Sequence, residues 1–160
     1  MNQIKTEVFV NLPPAQVRRL LDLFLRDHPE MTLRAACAPR SSTMAATERT
    51  VTVFLERAAG GSRGFERLGV SWGPCEGGPY LTFKGEVEVT ADAGHGACRI
   101  ALCGSYIPPL GIAGQAFEFI VGRRVAIAIA GDLLNKIRTA IEPSYRESAR
   151  EISLWSARAV

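Results

Sequence analysis

Apolar and polar residues alternate along several short stretches of this chain. The first runs from Ile4 to Val10, with Ile4, Thr6, Val8 and Val10 on one face and Lys5, Glu7 and Phe9 on the other. Period two predicts a half-buried strand. Asn11-Leu12-Pro13-Pro14 ends it, with Asn11 as the expected cap and a proline in the first helical turn. Val17, Leu20, Leu21, Phe24 and Leu25 then recur at helical spacing opposite Arg18, Arg19, Asp22 and Arg26. That helix should stop near Asp27, just ahead of Pro29. Met31 to Ala38 suits a short helix or a strand, and Pro39-Arg40-Ser41-Ser42 reads as a turn or loop.

From Glu48 the strand signal returns. Val51, Val53 and Leu55 alternate with Thr50, Thr52 and Phe54, and Gly60-Gly61 marks a hairpin loop. Leu68, Val70 and Trp72 alternate with Arg67, Gly69 and Ser71 before the glycine-rich turn from Gly73 to Pro79. Leu81, Phe83, Val87 and Val89 oppose Thr82, Lys84, Glu86 and Glu88. After the turn Asp92 to Gly96, Cys98, Ile100, Leu102 and Tyr106 share one face of the last strand. Connections this short predict an antiparallel meander, because parallel neighbours need long crossovers. One apolar and one polar face fit a sheet solvated on its outside.

The pattern then changes period. Ile107-Pro108-Pro109-Leu110-Gly111 leads into an apolar helical stretch from about Ile112 to Glu142, roughly 45 Å at 1.5 Å per residue. Ile120, Ile127, Ala130, Leu134, Ile137 and Ile141 form its expected stripe, widened by Phe117 and Leu133. Gly122, Ala126 and Ala130 form a second row of small residues that admits close approach of a neighbour. Pro143 should end or kink the helix. The tail from Ser144 to Val160 reads as a short extra helix or a frayed end.

Composition narrows the class. A chain of 160 residues fits one domain, 1–160, with 143–160 as an accessory tail. The net charge of +3 is spread along the chain rather than clustered, which argues against nucleic acid. No charged segment followed by an apolar run opens the sequence, so a cytoplasmic protein is expected. Glu118, Arg123, Arg124, Asp132 and Lys136 interrupt the most apolar stretch, which argues against a transmembrane segment. Cys37, Cys75, Cys98 and Cys103 form no Cys-x-x-Cys pair and have no histidine at ligand spacing. They read as buried or half-buried free thiols, and neither metal nor cofactor is expected.

The order of strand, helix, meander and one long helix resembles the START-like or Bet v 1-like superfamily, which includes polyketide cyclases and lipid-transfer proteins. Val8-Phe9-Val10-Asn11-Leu12-Pro13-Pro14-Ala15-Gln16-Val17 is similar to the family's opening, and Phe83-Lys84-Gly85-Glu86-Val87-Glu88-Val89 to a central strand. Gly104 to Gly114, followed by Arg124-Val125-Ala126, resembles the entry to the last helix of some bacterial members. The resemblance implies an α+β helix-grip fold, a curved antiparallel sheet around the C-terminal helix with an apolar cavity between them. The segment 28–47 departs from the pattern, because the family often places two short helices before the second strand.

Trp72, Phe83 and Tyr106 fall on the apolar strand faces, and Phe117 and Ile120 lie early on the long helix. They are candidate ligand contacts as well as core residues. Tyr106 is the candidate polar handle, because a buried hydroxyl needs a partner. Glu118 and Arg124 are candidates for the cavity mouth. His28 and His95 read as turn residues, which leaves no Ser-His-Asp or Cys-His constellation. Three functions follow. The first is a carrier for a small apolar or amphipathic molecule, and the second a cyclase or aromatase that positions a reactive chain. The third is an interaction module, such as a homodimer, whose tail docks a partner.

Overall fold

The computed structural model describes residues 2–37, 47–57, 67–75, 81–92, 96–107 and 115–158, apart from the side chains of 35–37, 47–49, 115–121 and 144–158. The element order is β1 (Asn2–Val10), α1 (Pro14–Asp27), β2 (Glu30–Cys37), β3 (Thr47–Arg57), β4 (Arg67–Pro74), β5 (Thr82–Ala91), β6 (Cys98–Ile107) and α2 (Gln115–Arg158).

α1 starts without the expected Asn11 cap. Pro13 is the N-cap, with φ −61° and ψ 143°, and no side chain caps the helix. The Pro13 carbonyl accepts from the Gln16 and Val17 amides at 3.0 and 3.1 Å. Pro14 costs nothing there, because the first-turn N–H it lacks has no helical acceptor. Val17, Leu21, Phe24 and Leu25 are the buried face. The helix ends at Asp27, where the His28 amide donates back to the Phe24 carbonyl at 2.9 Å.

The open choice at Met31 resolves to a strand. β2 pairs with β3 from Glu30↔Phe54 to Cys37↔Thr47, and only His28 and Pro29 separate it from α1. The second helix that the family often carries therefore has no room before β2. The hairpin loop at Gly60-Gly61 and the turn residue His95 lie outside the described residues.

The six strands form one sheet in the order β1-β6-β5-β4-β3-β2, antiparallel throughout. The alternating faces are as the period-two pattern predicts. Ile4, Val10, Val51, Val53, Leu55, Leu68, Val87 and Ile100 are buried. The outer face carries exposed pairs, such as Arg67 with Glu86 and Glu88 at 3.3 and 3.2 Å. Arg99 lies 5.0 Å above the Phe9 ring and 3.5 Å from Glu7, on the outer face.

α2 differs from its expected form in two ways. It runs for 44 residues with Pro143 inside it, so the tail continues the helix through Arg158. A proline removes one intrahelical hydrogen bond without forcing a stop when the flanking turns persist. Secondly, Ile127 is 38% exposed and does not belong to the buried stripe. The buried arc is Val125, Ala126, Ile129, Ala130, Leu133, Leu134, Ile137 and Ile141. At 3.6 residues per turn, Ile127 falls just past the edge of that arc. The small residues Ala126 and Ala130 sit within it, fully buried.

The main approaches of α2 to the sheet are at β1 and β6 on one side and at β2 on the other. The helix thus bridges the two ends of the curved sheet and faces the concave surfaces of β3, β4 and β5. Among the described residues, no helix is long and apolar enough to cross a membrane.

Candidate functional site

The interior is organised by a single cross-strand row. Met31 pairs with Val53, Val53 with Trp72, Trp72 with Phe83, and Phe83 with Tyr106. Directly opposed residues of antiparallel strands project to the same face. The row therefore crosses the concave side of the sheet from β2 to β6. Trp72, Phe83 and Tyr106 are buried, at 2%, 4% and 2% exposure. The structure brings these three predicted residues together.

Their geometry depends on glycine. The Trp72 and Phe83 rings stack with centroids 3.8 Å apart and planes 10° from parallel. Gly85 and Gly104 face each other across β5 and β6, and the Phe83 ring lies over both. A Cβ on Gly85 would come within 2.6 Å of that ring, and one on Gly104 would collide with the ring, the Lys84 carbonyl and the Gly85 backbone. Neither glycine is needed for its backbone angles; both are needed because the Phe83 ring and the backbone of the facing strand occupy their side-chain space. On the facing helix, a Cβ on Gly122 of α2 would meet the Tyr106 ring at 3.3 Å and Leu81 at 3.4 Å. The helix thus packs closely on Tyr106 through a residue with no side chain.

Two polar groups sit in this apolar row. The Trp72 indole N–H is buried and has no acceptor among the described residues. Leaving such a donor without a partner costs about 1–3 kcal/mol. Burial pushes the Tyr106 phenol above its ordinary value, with the positive charge of Arg123 opposing the rise. The phenol therefore stays protonated through the neutral range.

The other predicted contacts fare differently. Phe117 and Ile120 lie in the opening turns of α2, as does Glu118, and their side chains fall outside the described part. Arg124 is exposed on α2, on the side away from the buried arc. The cation whose field reaches Tyr106 is Arg123, one position earlier. Sequence periodicity could have separated the two, since Arg123 lies nearer the buried arc than Arg124.

Among the described cysteines, Cys98 is buried and Cys103 half-buried, as expected, but Cys75 is exposed. Cys75 lies at the end of β4, where its sulfur is 2.8 Å from the Thr52 hydroxyl. Its position at a strand end leaves it no layer to be buried beneath. Burial raises the Cys98 thiol pKa, with Arg18 opposing it. No group of three or more His, Cys, Asp or Glu residues suited to a metal occurs among the described residues.

A cleft at the sheet edge was not foreseen from the sequence. It has a volume of about 1000 Å³ and lies between the end of α1, the edge strand β2 and the middle of α2. Phe24 and His28 form one wall, their rings stacked at 4.7 Å. The His28 Nδ1 lies 3.3 Å from the Phe24 carbonyl at the end of α1. Met31 and Leu33 line it from β2, with Thr32 and Arg34. Asp132, Asn135, Lys136, Thr139 and Ala140 line it from α2. The Lys136 ammonium donates to the Thr32 carbonyl at 3.4 Å, bridging the helix to the sheet edge.

No family model matches the chain, and no curated protein matches it. Solved structures do. TTHA0849 from Thermus thermophilus is 12% identical, with a TM-score of 0.50 over 89% of this chain and 98% of that one. The Zhui aromatase/cyclase from Streptomyces sp. R1128 is 12% identical, with a TM-score of 0.48 over 88% of this chain and 93% of that one. Ara h 8.0201 is 9% identical, with a TM-score of 0.39 over 89% and 95%. At such identities a likeness shows fold alone. The fold is an α+β helix-grip, a six-stranded antiparallel sheet against one long C-terminal helix.

Proposed function

We propose that residues 1–160 act as one unit that holds a small apolar or amphipathic molecule between the concave sheet and α2. Trp72 and Phe83 form the floor and Tyr106 the polar handle, with Phe117 and Ile120 on the helix and Arg123, rather than the outward-facing Arg124, at the mouth. The observation that carries this reading is the Trp72 indole N–H, buried in an apolar row with no acceptor among the described residues. Apolar pockets with one or two placed polar groups are the usual form of small-molecule sites. An acceptor on the ligand would satisfy that donor.

The test uses the indole N–H resonance of Trp72, assigned with the variant Trp155→Phe and titrated with 2-naphthol as an amphipathic probe. The reading predicts a saturable shift of the Trp72 resonance, and about tenfold weaker binding to Trp72→Phe. A resonance that does not move up to the solubility limit of the probe contradicts it.

A cyclase reading draws on Tyr106, whose burial keeps a proton available to a developing oxyanion. Tyr106→Phe separates the two readings. Loss of turnover with binding retained favours the enzyme; unchanged binding with no turnover by either form favours the carrier.

A further inference from the structure

The cleft at the edge of β2 combines an apolar base with a basic rim, and only Met31 is shared with the interior row. We propose that it takes the acidic head and adjoining carbons of a molecule such as a medium-chain carboxylate. Its volume of about 1000 Å³ is ample for a ligand of that size.

The apolar part of the surface is continuous. Phe24 and Leu33 are buried at its base, and Met31 is half-buried beside them. Met31 is also the outermost member of the cross-strand row that leads to Trp72. The polar part is basic on balance. Lys136 and Arg34 contribute two positive charges against the single negative charge of Asp132. Among the described residues no carboxylate lies within 4.0 Å of the Lys136 ammonium, and its contact is the Thr32 carbonyl. That contact fixes the ammonium between helix and sheet edge. An ammonium has three donors, so one carbonyl leaves two for an anionic oxygen. Asp132 sits one helical turn before Lys136 and disfavours a dianion, so a single carboxylate fits best.

This site does not depend on the interior reading, and two reporters keep them apart. The probe is dodecanoate, below its aggregation concentration. The reporters are the Met31 methyl resonance, assigned with Met31→Leu, and the Trp72 indole N–H. The proposal expects a saturable shift of the Met31 methyl and about tenfold weaker binding to Lys136→Glu. Arg19→Glu, an exposed charge reversal on α1, should bind like the unaltered chain. A stationary Met31 methyl overturns the proposal, as does equal weakening by Arg19→Glu. A shift at Trp72 without one at Met31 also overturns it, while supporting a ligand in the interior.

Discussion

At the scale of single residues, Gly85 and Gly104 decide where Phe83 can lie. Both give up a side chain to the same ring, and that ring carries Trp72. Gly104→Ala should therefore displace Phe83 and break the stack. Overpacking of this kind costs about 1–3 kcal/mol, and the lost ring pair adds about 0.5–1.5 kcal/mol. Urea denaturation checks this, and a variant as stable as the original chain would contradict it. The second residue-scale prediction concerns pH. Cys98 and Tyr106 are both raised above their ordinary values of 9.0 and 10.0, chiefly by burial. The folded state then holds these protons more tightly than the unfolded state. Their stabilising effect is complete below those ordinary values and is lost as pH rises through the folded ones. Stability should fall more steeply above pH 9.0 in the original chain than in the double variant Cys98→Ala, Tyr106→Phe. Matching slopes would contradict this.

At the scale of elements, α2 carries the two features that run against simple sequence rules. Pro143 lies inside a helix of 44 residues. Pro143→Ala should stabilise the chain, by up to about 3 kcal/mol. Thermal unfolding followed by circular dichroism reads the effect, and a lower midpoint would show that the proline serves the fold. Ile137→Ala, in the fully buried part of the same helix, should cost about 2–5 kcal/mol. The strands were legible because period two survives wherever one face is buried. β5 shows this most clearly, with Val87 and Val89 buried and Glu86 and Glu88 turned out. β2 was ambiguous because Ala35 and Ala36 suit either period, and its pairing with β3 decided the matter. Ile127 was misplaced because a stripe read by steps of three, four and seven tolerates an error of one position at its edge. The Lys136 cleft was invisible for a different reason. It joins residues more than a hundred positions apart, and only the closing of α2 over β2 brings them together.

At the scale of the whole molecule, the sheet presents a row of aromatic residues to a helix that grips its two ends. The three predicted aromatics of that row were legible because each lies on the apolar face of its own strand. Their alignment was not, since register depends on pairings that no single strand reveals. The central claim is that this interior holds a ligand. Native mass spectrometry of freshly purified protein, before and after denaturation, tests it most directly. The same measurement is made after incubation with 2-naphthol and with dodecanoate. The account predicts an added mass on the 17.3 kDa chain that leaves on denaturation. A bare chain mass in every sample, including those incubated with excess probe, would contradict it.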